Sequence, residues 1–152
     1  MTFNDSQTQA PSLQARMMAP KILWGAMLAS TFMYLFVIST KSQTSINTDF
    51  KILSSENPLS KAFAFAALFM AISAWQIPGI LRKKALQNAD PFPGWFVSFI
   101  VRLAMLESIS VFGLVLAILS HDINDAIPFF IVSWAGFLLS FPTADKATRA
   151  LT

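Results

Sequence analysis

The sequence predicts an all-α integral membrane protein, a bundle of four transmembrane helices arranged as two hairpins. Hydrophobic residues make up 55% of the 152-residue chain and charged residues only 12%, whereas a typical soluble domain is about 25% charged. Four apolar segments approach or exceed the ~20 residues that a helix needs to cross a bilayer. These segments lack the alternation of apolar and polar residues that is typical of barrel strands. The composition therefore excludes a soluble enzyme and a nucleic-acid-binding domain.

The membrane domain is predicted to extend over residues 21–142, between a polar N-terminal tail (residues 1–20) and a C-terminal tail (residues 143–152). The first two spans are predicted at residues 22–39 and 62–81. The first is longer than the apolar run of a signal peptide and lacks a cleavage site, so we expect it to be retained. The second carries alanines three or four residues apart, a spacing that favours close helix packing.

The third span is predicted at residues 95–119, directly after the Pro-Phe-Pro-Gly sequence that ends the preceding loop. The fourth, residues 126–141, is the shortest and ends before Pro142. Small residues recur at helical spacing in both segments. Without a hydrophobic drive between helices in lipid, such residues let the backbones approach closely, so we expect both spans to pack within the bundle.

Basic residues are distributed unevenly between the two sides of the predicted bundle. Seven of them lie in the two tails and the second loop, and three lie in the first loop. Because loops rich in Lys and Arg stay in the cytoplasm, both termini are expected on the cytoplasmic side of the cell (inner) membrane. The expected partners are the lipid bilayer and either further copies of the chain or a larger membrane complex. No nucleic acid is expected.

The chain has no cysteine and a single histidine, His121. It therefore lacks thiolate metal sites and cysteine nucleophiles. Asp122 and Asp125, which lie close to His121, are interpreted as parts of a solvated loop rather than as metal ligands. We expect no cofactor, no metal and no enzymatic activity.

Glu107 is the candidate functional residue, because it lies at the middle of the third span. An acidic group near the bilayer centre is unfavourable unless it is protonated, paired or hydrated. Two interpretations follow: an ion-binding carboxyl, or a protonated carboxyl that forms a structural hydrogen bond between helices. Hydroxyl groups at similar depth are its candidate partners: Ser30, Tyr34, Ser73 and Ser133.

Four basic residues are predicted to anchor the cytoplasmic face: Arg102, Arg82, Lys83 and Lys84. Arg102 is expected to extend its apolar stem towards the headgroups. Since it is five positions from Glu107, it is poorly placed to pair with that residue. In the second span, Pro78 removes a backbone donor and leaves the carbonyl of Ala74 without its helical hydrogen bond.

The segment around Glu107 reads AMLESISVFGLVLAIL over residues 104–119. It resembles the carboxylate-bearing helix of ATP synthase subunit c, in which a Glu is likewise followed six residues later by Gly-Leu-Val. The resemblance implies an ion-carrying role for Glu107. Alanines here replace the glycine-repeat helix of that family, and a helix is added at each end of the hairpin. As a whole, the chain resembles the small uncharacterised four-helix membrane proteins of bacteria.

From these observations we expect a small polytopic integral membrane protein that acts as a structural or accessory subunit without catalytic chemistry. The alternative is a component coupled to proton or Na⁺ movement through Glu107, similar to the subunits of a rotor ring.

Overall fold

In the computed structural model, the described residues (13–41, 58–87 and 90–151) form helices joined by short connections, and no strand occurs among them. The predicted all-α class is therefore confirmed. The elements are, in chain order, α1 (Leu13–Arg16), α2 (Met18–Lys41), α3 (Pro58–Ala85), α4 (Phe92–Ser120), a 3₁₀ turn (Ile123–Asp125), α5 (Ile127–Leu139) and α6 (Ala144–Leu151).

Helices α2, α3 and α4 are each long and apolar enough to cross a membrane. Each extends a few residues beyond its predicted span, because the flanking residues also suit a helix. Helix α3 begins at Pro58, which is favourable in a first turn. It ends with a basic triplet, whose charge interacts well with the negative end of the helix dipole.

Helix α5 is shorter than the segment predicted for the fourth span. It has 13 residues, which corresponds to about 20 Å at 1.5 Å per residue, and the hydrocarbon core is ~30 Å thick. The chain enters it through the 3₁₀ turn and leaves it at Leu139, three residues before Pro142. The structure therefore contains three helices of spanning length and one shorter apolar helix.

Helix α4 lies at the centre of the bundle. Helices α2, α3 and α5 all pack against it, whereas α2 and α3 make almost no contact with each other. Its inward side chains are fully buried, including Leu103, Leu106, Ile109 and Leu116. The outer surface of the bundle carries large apolar side chains, such as Phe36, Phe65 and Phe69. An exposed apolar surface of this extent suits contact with lipid.

Both predicted tails contain helix where they are described. The polar N-terminal segment ends in α1 and the first turn of α2, and the C-terminal segment contains α6. The side chain of Thr143 accepts a hydrogen bond from the backbone N–H of Lys146 (3.3 Å) and so starts α6. The rest of these predictions, including Lys51 of the first loop, lies outside the described residues, at 1–12, 42–57, 88–89 and 152.

The first and last described segments of the chain meet at one end of the bundle. Met17, Trp95 and Ala147 form one buried cluster. Beside it, Nη1 of Arg16 lies 3.0 Å from Oδ2 of Asp90 in an ion pair. The start of α2, the loop before α4 and the C-terminal helix α6 are therefore neighbours.

Two glycines allow α4 and α5 to approach closely. A Cβ atom at Gly113 would lie 2.8 Å from Cβ of Phe129 and 3.1 Å from the carbonyl oxygen of Ala126. A Cβ atom at Gly136 would collide with the end of the Leu106 side chain. The first pair of obstacles is fixed to the backbone, whereas the second is the tip of a flexible side chain.

We predict that Gly113→Ala destabilises the protein by about 1–3 kcal/mol, the usual effect of overpacking a close contact. Gly136→Ala should have a smaller effect, because Leu106 can change rotamer. Gly25→Ala is the control, since nothing lies within 4 Å of the added methyl group and alanine favours a helix by up to ~1 kcal/mol over glycine. Unfolding in mixed micelles, followed by circular dichroism, measures all three. Equal stability of the Gly113 and Gly25 variants would contradict the α4–α5 contact.

Candidate functional site

The candidate site lies where α2 packs against the middle of α4. Ser30 and Tyr34 are four residues apart, so they lie one turn apart on the same face of α2. Oε1 of Glu107 accepts a hydrogen bond from Oη of Tyr34 (2.9 Å) and lies 2.6 Å from Oγ of Ser30. All three side chains are half-buried. The carboxyl group thus links two of the long helices at mid-height.

The contacts of Ser30 determine which protonation state of Glu107 satisfies every group. Oγ of Ser30 also lies 2.7 Å from the carbonyl oxygen of Met27. Three hydrogen bonds at this site require three protons, and the Ser30 and Tyr34 hydroxyls supply only one each. A protonated Glu107 supplies the third, donating to Ser30 while Ser30 donates to Met27. A carboxylate would leave one of the three contacts without a proton.

Of the other two predicted partners, neither reaches the carboxyl. Oγ of Ser133 on α5 donates to the carbonyl oxygen of Leu106 (2.8 Å), one residue before Glu107. Ser73 is buried on α3 and is not among the groups that bond to Glu107. The structure therefore brings Glu107 together with the two hydroxyls of α2 and leaves the hydroxyls of α3 and α5 apart from it.

Two tryptophans add hydrogen bonds between α2 and α5 that the sequence analysis did not anticipate. Nε1 of Trp24 donates to the carbonyl oxygen of Phe137 (2.9 Å). Nε1 of Trp134 donates to Oγ1 of the fully buried Thr31 (2.8 Å). An indole N–H buried in an apolar region usually has a hydrogen-bond partner. The presence of tryptophans in two apolar segments was therefore the signal that could have predicted these bonds. The polar groups of α2, α4 and α5 therefore form a connected set of interhelical bonds.

Arg102 has a protein partner, whereas the sequence analysis expected only lipid headgroups. Its Nε atom donates to the carbonyl oxygen of Ala74 (3.2 Å), and its guanidinium carbon lies 4.8 Å from the centre of the Trp75 ring. The acceptor is available because Pro78 cannot supply the helical N–H to that carbonyl. Arg102 thus satisfies a backbone group that the proline leaves unbonded.

The other predicted anchors, Arg82, Lys83 and Lys84, are exposed at the C-terminal end of α3. Their contact with headgroups stays a prediction. Arg102 and Glu107 do not pair: within the described ranges the one ion pair joins Arg16 to Asp90.

The loop that contains His121 is organised by hydrogen bonds. Oδ1 of Asp122 accepts from the backbone and side-chain nitrogens of Asn124 (2.9 and 2.8 Å) and caps the 3₁₀ turn. His121 ends α4 in a left-handed conformation (φ 57°). In the part of the chain that the structure describes, no three His, Cys, Asp or Glu side chains are grouped as metal ligands would be.

No protein-family model, curated protein or solved structure matches the chain. The likeness of its third helix to subunit c therefore stays an expectation from residues 104–119 alone.

We predict that Arg102→Met destabilises the protein by about 1–3 kcal/mol, the usual effect of leaving a buried acceptor unsatisfied. In a Pro78→Ala background the restored N–H can bond to Ala74, so most of this loss should disappear. The double-mutant cycle, measured by unfolding in micelles, isolates the contribution of the Ala74 contact. Arg82→Met is the matched control. If Arg102→Met has the same effect with and without Pro78, its contribution does not come from that carbonyl.

Proposed function

We propose that this chain is a polytopic protein of the cell (inner) membrane that crosses the bilayer four times, with both termini in the cytoplasm. We propose further that it serves as a structural or accessory subunit without catalytic chemistry of its own. A location in a membrane is supported by three helices that are long and apolar enough to cross a bilayer.

The orientation is supported by the end of the bundle at which the basic residues collect. The cluster of Met17, Trp95 and Ala147 lies close in sequence to the basic residues of the N-terminal segment, the second loop and α6. Cytoplasmic ends of membrane proteins carry an excess of Lys and Arg. This end is therefore assigned to the cytoplasm.

The fourth crossing is supported by the path of the chain along α4. Ala126 and Phe129 lie against Gly113, and Gly136 lies against Leu106. Further on, Ala147 of α6 packs with Trp95, close to the start of α4. The 3₁₀ turn, α5 and the connection to α6 together follow most of a 29-residue helix, although α5 alone is too short to span.

A structural role for Glu107 is supported by one observation, the number of protons that its contacts require. The arrangement around Ser30 is fully satisfied when the carboxyl is neutral. A neutral carboxyl that bonds to two hydroxyls of another helix holds α2 against α4. The same carboxyl beside two hydroxyls is also able to release and regain a proton, which is the basis of the alternative, an ion-coupled component.

We predict that Glu107→Gln folds and loses no more than ~1 kcal/mol of stability, because interhelical hydrogen bonds in a membrane average about 0.6 kcal/mol. Gln keeps an oxygen that can accept from Tyr34 and an N–H that can donate to Ser30, but it cannot titrate. Tyr34→Phe is the companion variant and should show a loss of similar size. Both are measured by unfolding in micelles and by recovery of the same co-purifying subunits in mild detergent.

Proton or Na⁺ flux into proteoliposomes distinguishes the alternative. For a structural role, wild type and Glu107→Gln should give the same flux, with or without a carbodiimide that modifies protonated carboxyls. A flux that is abolished both by the carbodiimide and by Glu107→Gln, with the fold intact, would refute the structural role and establish ion coupling.

The topology is tested with single cysteines in a chain that has none of its own. We predict that Gln87→Cys, in the second loop, reacts with an impermeant maleimide only after the cells are opened. His121→Cys, at the opposite end of α4, should react in intact cells. The reverse labelling pattern would invert the orientation, and labelling of both residues from the same side would contradict the bundle.

A further inference from the structure

A cavity of about 340 Å³ opens at the end of the bundle where Met17, Trp95 and Ala147 form their cluster. It lies between the C-terminal half of α3, the first half of α4 and the connection from α5 to α6. Its lining includes both basic and aromatic side chains. None of its lining residues belongs to the Glu107 site, so the two sites are separate.

Four basic side chains line this cavity and no acidic side chain does: Arg82, Arg102, Lys146 and Arg149. The one ion pair among the described residues, Arg16 with Asp90, involves none of them. Four positive charges around one cavity repel one another, and among the described residues no carboxylate lies within 4 Å of their nitrogens. A bound anion would remove this repulsion.

Two of these cations are held in place by hydrogen bonds to the backbone. Nε of Arg102 is bound to Ala74, which leaves the terminal nitrogens of its planar guanidinium for a ligand. Nζ of Lys146 donates to the carbonyl oxygens of Leu139 (3.0 Å) and Phe141 (3.3 Å) at the end of α5. Positive groups that are already positioned lose little freedom when a ligand binds.

We propose that this cavity binds a phosphate group, carried by the headgroup of an anionic phospholipid. Arg side chains match phosphate oxygens in a bidentate geometry, and three of the four basic side chains are arginines. The remaining wall is aromatic and apolar, formed by Trp75, Trp95, Phe99 and Phe141, which suits the glycerol backbone and acyl chains. Basic pockets between membrane helices at the cytoplasmic side are typical binding places for anionic headgroups.

The test is native mass spectrometry of the full chain in detergent, titrated with phosphatidylglycerol or with phosphatidylcholine of the same acyl chains. We expect saturable binding of phosphatidylglycerol and much weaker binding of phosphatidylcholine. The double variant Arg82→Gln/Arg149→Gln should weaken phosphatidylglycerol binding about tenfold, equivalent to about 1.4 kcal/mol. The matched control, Lys83→Gln/Lys84→Gln, removes the same charge from the same end of the protein but outside the cavity, and should change the affinity less than about twofold.

Inorganic phosphate distinguishes the two sources of the phosphate group. If the ligand is a lipid, millimolar phosphate should neither displace phosphatidylglycerol nor stabilise the protein against heat. Equal stabilisation by phosphate, lost in the cavity variant, would overturn the lipid and assign the site to a soluble phosphate ester.

Equal weakening in the cavity and control variants would overturn the proposal, because it would reveal only diffuse surface charge.

Discussion

The contact between the Glu107 carboxyl and the hydroxyls of α2 is the interaction on which the rest of the bundle depends. Within a bilayer no water is available to satisfy a carboxyl, and packing alone does not fix the rotation of one apolar helix against another. Two hydroxyls one turn apart on α2, both in contact with one atom of α4, fix both rotation and height. With α2 so placed, Trp24 and Thr31 face α5 and form their own bonds to it.

The long helices and the residue at the centre of the site could be predicted from the sequence, because both follow from one-dimensional properties. Length and hydropathy identify a spanning helix, and a charge at its midpoint stands out. Ser30 and Tyr34 were among the candidates because depth along a helix is also readable from position. Ser73 and Ser133 have comparable depth, but depth does not specify which face of a helix meets which neighbour.

The parts that were not predicted depend on how helices are rotated and on how they end. The carbonyl of Ala74 was recognised as unbonded because of Pro78, and Arg102 was recognised as isolated. Their pairing required knowing that α3 and α4 bring these two groups together. Similarly, the apolar run of the fourth segment continues to Phe141, but α5 ends at Leu139, where Lys146 binds the last carbonyl groups.

The central position of α4 has a consequence for how the protein is made. Helices α2 and α3 hardly touch, and the hydroxyls on α2 are separated from Glu107 by more than 70 residues of chain. During synthesis, α2 and α3 therefore enter the bilayer as two independent helices, with the hydroxyl of Tyr34 still lacking its acceptor. The bundle closes only when α4 inserts between them, so a chain released before Glu107 is translated has no folded core to protect it from membrane proteases.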